Sequence, residues 1–124
     1  MPRAGLSADA VVAEGVAVVD ESGESALTLA AVAQRVGVRA PSLYKHVDGL
    51  RALRSAVAVV SKQELASDLE RAASGRAGAD AIRALAAAYR AWALAHPGRY
   101  PLTVVVADPD DAADATASQR LYDV

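Results

Sequence analysis

Apolar positions along this chain recur at helical rather than strand spacing. Ser7 and Asp9 are placed to cap a first helix that runs to about Asp20. Val12, Val16 and Val19 mark its apolar stripe, with Val11, Gly15 and Val18 beside it. The polar stretch ESGES (21–25) breaks it. Thr28 is placed to cap a short second helix over 29–36, and Gly37 ends it. A third helix starts near Ala40, with Pro41 in its first turn, where the missing N–H costs nothing, and ends at HVDG. Asp48 is placed to cap a long fourth helix over 49–73 whose apolar face is Leu50, Leu53, Val57, Val60, Leu65 and Leu69.

Beyond the loop SGRAG (74–78), Asp80 is placed to cap a fifth helix reaching about His96. Its stripe is sharp: Ile82, Leu85, Tyr89, Trp92 and His96 step by 3, 4, 3 and 4. HPGRYP is a break. LTVVVA (102–107) has strand composition, but a lone strand among helices has no partner, so it is read as a short helical turn. DPDD leads into a last helix from about Ala112. The fold expected is all-α: a helix-turn-helix segment over 1–48, a connecting helix over 49–73 and a helical unit over 74–124.

Composition agrees with that picture. Apolar residues make up 53% of the 124, without a single Phe or Cys, so disulfides and thiolate metal sites are excluded. No apolar run is long enough to span a bilayer, and the first ten residues lack the pattern of a secretory signal, so a cytoplasmic protein is expected. The net charge of −2 argues weakly against a nucleic-acid partner, but its distribution changes the picture. Residues 27–55 hold Arg35, Arg39, Lys45, Arg51 and Arg54 against Asp48 alone, a local net of +4, leaving −6 for the rest.

The basic segment contains LAAVAQRVGVRAPSLYKHV (29–47). Ala33 is small enough for a second helix to cross close above it, and Gly37 supplies the positive φ of a tight turn. Val32, Val36, Val38, Leu43 and Val47 form the wedge between the two helices. The outer face then holds Arg39, Ala40, Ser42, Tyr44 and Lys45, whose cations and hydroxyls suit phosphates and base edges. Spacing and charge alone leave open an ordinary helical hairpin in a bundle.

The stretch LTLAAVAQRVGVRAPSLYKHVDGLRAL (27–53) resembles the DNA-binding segment of the tetracycline-repressor (TetR) family, which carries L-Y-x-H-[FV] at the end of its recognition helix, here Leu43-Tyr44-Lys45-His46-Val47. The strong likeness covers about 7–60. AWALAHPGRY (91–100) resembles a subset of that family with spaced Trp, His and Gly in the regulatory domain, here Trp92, His96 and Gly98. The resemblance implies a phosphate contact at Thr28, base reading by Ala40, Pro41 and Ser42, and phosphate and groove contacts from Tyr44, Lys45 and His46. Two positions depart from the pattern. Arg39 stands where Ser or Thr often caps the recognition helix, and adds a cation instead. Leu50 stands where the fourth helix usually has a phosphate-binding Lys, so Arg51 takes that part from about 100° further round the helix. Fewer phosphate contacts imply a shallow salt dependence.

The resemblance further implies a homodimer on a pseudo-palindromic duplex operator, a small-molecule effector in the second helical unit, and repression released by that effector. Tyr89, Trp92 and His96 are the candidate ligand contacts, on a stripe that equally serves as core. The family's regulatory domain normally continues past Val124, so a piece of a longer protein is expected. His46 and His96 read more simply as structural or phosphate-facing and as a helix-terminal residue than as a catalytic base. Asp108, Asp110, Asp111 and Asp114 read as helix capping rather than as a cation site. With no nucleophile–base pair, no phosphate-cradling glycine loop and no metal-spaced histidines, an enzyme is not expected, nor is a cofactor or a membrane partner. The rival to a DNA-binding regulator is a helical ligand- or protein-binding module that kept the scaffold.

Overall fold

The computed structural model describes residues 6–124, whose regular elements are all helices, with no strand among the described residues. The chain divides into two compact units, one up to Val57 and one from Ala58 to Val124. The division falls inside the longest helix.

In the first unit, α1 (Ala8–Ser22) starts at Ser7, whose side chain accepts from the Ala10 N–H at 3.2 Å. Its buried face is Val11, Gly15, Val18 and Val19. Val12 and Val16, expected at the centre of the stripe, are only half-buried. The face has turned towards Gly15 because a Cβ there would come within 3.1 Å of Val57 and 3.3 Å of Leu53, so the bare glycine admits the start of the long helix. A 3₁₀ turn, Glu24–Ala26, leads to buried Leu27 and then to α2 (Leu29–Val36). A second 3₁₀ segment, Ala40–Lys45, precedes α3 (Leu50–Ala73). Val11, Val19, Leu27, Val32, Leu43, Leu53 and Val57 meet as a core with almost no exposure. Each such burial stabilises by about 1.5–3 kcal/mol.

In the second unit the rest of α3 packs with α4 (Gly78–Ala95), the single turn α5 (Tyr100–Thr103) and α6 (Ala112–Tyr122). Leu65, Leu69 and Trp92 form its buried cluster, flanked by Leu85, Ala88, Tyr89, Tyr100 and Leu121. α3 therefore buries one set of side chains in each unit, Leu53 and Val57 in the first and Leu65, Ala66 and Leu69 in the second.

Several boundaries differ from expectation. The third helix is a 3₁₀ segment: Ser42 N–H bonds to the Arg39 carbonyl at 2.9 Å and His46 N–H to Leu43 at 2.8 Å. Six residues anchored by one buried side chain, Leu43, suit that tighter, shorter form. The cap position of α3 falls on Gly49 rather than Asp48, since Leu50 is the first helical residue. α4 begins at Gly78 after Ala77, so Asp80 lies in its first turn instead of capping it. Ile82, expected on the buried stripe, is exposed, and the packed face runs Leu85, Ala88, Tyr89, Trp92. Of 102–107 only Leu102 and Thr103 are helical; Val104–Val106 run exposed and irregular.

Candidate functional site

The hairpin of the first unit is fixed at three points. Thr28 Oγ1 accepts from the Ala31 N–H at 3.0 Å and starts α2. Gly37 takes a left-handed φ of 78°. That turn brings both its own N–H and that of Val38 (3.0 Å) onto the Ala33 carbonyl. Leu43 then drops into the core beside Val32 and Ala33, which sets the angle between α2 and the 3₁₀ segment. Arg39 occupies the N-cap position of that segment without a side-chain bond to it.

With Leu43 inside, the opposite face points outward. Arg39, Pro41, Tyr44 and Lys45 are exposed, Tyr44 at 59%, and Ala40, Ser42 and His46 are half-buried beside them. Thr28 at the start of α2 and Arg51 in the first turn of α3 are exposed as well. All nine residues expected to meet nucleic acid thus belong to the first unit and reach its surface.

The charge of this surface is smaller than the sequence implies. Arg35 turns back onto α1, where its Nε meets Glu14 at 3.2 Å and a terminal nitrogen meets Glu21 at 3.1 Å. The Glu21 carboxylate, and after it Glu14, hold the guanidinium above its ordinary pKa. Arg54 lies 4.0 Å from Glu24. The local +4 was counted without these acids, which lie earlier in the chain. Arg35 and Arg54 are matched in this way, and Arg39 and Lys45 remain exposed on the outward face.

The expected ligand contacts divide between two hollows of the second unit. Tyr89 lines a cavity of about 560 Å³ with Leu65, Leu69, Val104–Val106 and Leu121. Its ring meets that of Tyr100 edge-on at 6.0 Å, and burial first, then the Tyr100 hydrogen bond, pushes its hydroxyl pKa up, so it stays a neutral donor. Trp92 and His96 instead line a polar hollow of about 580 Å³ with Glu64, Asp68, Arg71 and Arg120. There the two rings lie 4.8 Å apart, and His96 Nδ1 is 3.1 Å from Arg99. His96 also closes α4, its N–H bonding to the Trp92 carbonyl at 2.9 Å.

Sequence reasoning missed two buried cations. Arg99 is 2% exposed, pairs with Glu64, and lies 5.3 Å from the Trp92 ring centre. It stood inside HPGRYP, which reads as a loop. Lys62 is 1% exposed, and its Nζ donates to Asp114 Oδ1 at 2.5 Å, to Ser118 Oγ at 2.8 Å and to the Val105 carbonyl at 3.3 Å. Its signal was present: Ala58, Ser61, Leu65, Ala66 and Leu69 share its helical face. Asp114, read as a capping residue, is this lysine's counter-ion; the cap of α6 is Asp111, which accepts from the Asp114 N–H at 3.1 Å. Among the described residues no group of three or more histidines and carboxylates is arranged to hold a metal. No helix among the described residues is long and apolar enough to cross a membrane.

Comparison with known proteins gives the two units a context. Residues 82–124 match the family described as the tetracyclin repressor-like C-terminal domain. Over 115 residues, 93% of this chain, the sequence is 38% identical to an uncharacterized HTH-type transcriptional regulator of Mycobacterium tuberculosis, of which it covers 53%. A second uncharacterized HTH-type transcriptional regulator, from Bacillus subtilis, is 35% identical over 99 residues, 80% of this chain and 52% of that protein. The chain spans about half the length of these curated relatives. Its fold is similar to that of a Rhodococcus sp. RHA1 protein of unknown function, with a TM-score of 0.80 and 26% identity over 99% of this chain and 66% of that one.

Proposed function

We propose that this chain is a TetR-family, sequence-specific DNA-binding transcriptional regulator, a reading supported by its likeness to the tetracyclin repressor-like C-terminal domain and to HTH-type transcriptional regulators. Its first unit docks on duplex DNA, and its second unit takes a small-molecule effector that releases repression. The observation that carries the docking is the hairpin itself. Ala33, Gly37 and Leu43 hold the 3₁₀ segment so that Arg39, Tyr44 and Lys45 face outward together. In this reading Ala40, Pro41 and Ser42 meet base edges. Thr28, Tyr44, Lys45, His46 and Arg51 position the unit on phosphates. Ala30 offers a base only apolar contact.

Two copies would place their recognition segments in successive major grooves, about 34–36 Å apart, on a pseudo-palindromic operator. The cavity containing Tyr89 supports the effector half of the reading: it is concave, mostly apolar and of the size small ligands occupy. α3 begins in the first unit and ends in the second, so a ligand with different affinity for two placements of that helix would shift DNA affinity by the same factor. The setting of such a regulator is the cytoplasm.

Selection of random duplex DNA with the chain, repeated with Tyr44→Ala and Lys45→Ala combined, tests the docking. An enriched palindrome that disappears in the double variant is the expected result. No enrichment, or enrichment indifferent to the two changes, leaves the binding-module reading in place.

A further inference from the structure

The cavity behind Tyr89 is bounded by Leu65, Leu69, Leu121 and the exposed run Val104–Val106, with the polar groups of Tyr89, Ser118 and Gln119 set among them. Among the described residues that line it, none carries a charge at neutral pH. Behind the wall lies a full charge. Lys62 Nζ donates to the Val105 carbonyl at 3.3 Å and to Ser118 Oγ at 2.8 Å, and both residues form part of the cavity lining. That ammonium is cancelled by Asp114 Oδ1 at 2.5 Å, from a residue that is not part of the lining. Asp114 is itself held in place, its Oδ2 accepting from the Asp108 N–H at 3.2 Å. Its remaining oxygen is therefore committed to Lys62.

Resting on the reading of this cavity as the effector site, we infer that its ligand is a neutral, largely apolar small molecule carrying a hydroxyl or carbonyl, and that Asp114 excludes anions by cancelling Lys62. A carboxylate or phosphate entering the cavity leaves water and meets apolar side chains and neutral dipoles, with no net positive charge to replace its hydration. A hydroxyl meets Tyr89, Ser118 and Gln119, each able to donate or accept. The lysine without its aspartate would turn the same wall into an anion site, because its other two partners, a carbonyl and a hydroxyl, are uncharged. The specificity thus depends on one oxygen outside the cavity.

Displacement of the uncharged dye Nile red from the 124-residue chain by decanol and by decanoate tests this. Decanol is expected to displace the dye about tenfold or more tighter than decanoate, the penalty for an unpaired carboxylate in a partly open cavity. Asp114→Asn, which restores the charge of Lys62, is expected to bring the two within about threefold by strengthening decanoate. Should Asp114→Asn not fold, Ala115→Arg places a cation on the exposed part of the lining of an otherwise unchanged chain and predicts the same gain. Decanoate binding the unaltered chain as well as decanol, or a ratio that Ala115→Arg leaves untouched, overturns the inference while leaving the cavity a ligand site. Failure of Nile red and both ligands to bind removes the cavity reading itself, and the inference with it.

Discussion

The pair between Lys62 and Asp114 is the strongest lever on the second unit. Its ammonium side chain is 1% exposed and its carboxylate side chain 8%. Removing one member of such a pair leaves the other buried without compensation, which costs about 3–5 kcal/mol. In Lys62→Met, Asp114 keeps only the Asp108 N–H; in Asp114→Asn, Lys62 keeps only the Val105 carbonyl and Ser118. The double variant behaves differently. The asparagine introduced at position 114 still accepts from the Asp108 N–H, its amide can reach Ser118, and the Val105 carbonyl lies on an exposed residue where water replaces the lost donor. This variant is therefore expected to lie within about 1–2 kcal/mol of the parent, since replacing both members of a buried pair is often near neutral. The coupling between the sites is then at least about 3 kcal/mol, well beyond what independent positions show. Trp92 is the single tryptophan and lies in the same unit as the pair, so urea unfolding followed by its fluorescence reads the unit that the pair stabilises. With a slope of about 2 kcal/mol per molar urea, each single variant lowers the midpoint by roughly 2 M. A double variant as weak as the two singles added together would refute the account.

Other outcomes follow from single features. Gly37→Ala places a side chain at φ 78° with nothing within 4 Å of the new Cβ, so its whole cost is backbone strain, about 1–2 kcal/mol, read as a lower thermal midpoint by far-UV circular dichroism. Leu43→Ala empties a fully buried site and is expected to cost about 3 kcal/mol in the same measurement. With Arg39 and Lys45 as the outward cations of the 3₁₀ segment, the logarithm of DNA affinity per chain should fall with the logarithm of salt at a slope of about −1.8, and Lys45→Ala should reduce that slope by about 0.9 in a fluorescence-anisotropy titration. The hydrogen bond from Arg120 holds Glu70 below its ordinary carboxylate value. Its contribution is complete above the unfolded pKa and is lost as pH falls through the depressed one. Arg120→Gln should return the Glu70 titration, followed by NMR, towards 4.5.

The elements legible in advance were those whose ends are written in local chemistry. Thr28 and Gly37 bracket α2 because a hydroxyl at the N-cap and a left-handed glycine at the C-terminus act within four residues of themselves. Asp111 opens α6 for the same reason. The outward face of the hairpin was equally legible, since burying Leu43 dictates which neighbours point away. Where a long-range demand decided, the pattern misled. α1 turns Gly15 inward because Leu53 and Val57 need the space, and nothing within α1 announces α3. The +4 segment lost Arg35 to Glu14 and Glu21, acids 21 and 14 residues earlier in the chain.

The buried charges mark the limit of periodicity more sharply. A stripe of apolar residues identifies a face by what it contains, so a lysine on that face is discounted as an interruption, and an aspartate near a helix start is assigned to the nearest N–H groups. Lys62 and Asp114 are separated by 52 residues, and each invites a local explanation that is wrong. Only together do they make sense, because neither could be buried alone. The pair also explains why Tyr89 and Trp92, adjacent on one helical stripe, serve different hollows. Lys62 ties α3 to α6 and to the Val105 backbone on the Tyr89 side, whereas Arg99 ties α3 through Glu64 to Trp92 and His96 on the other. One stripe of α4 is thus divided by two cations held from α3, and a ligand beside Tyr89 meets a wall whose charge is set by Asp114 on α6.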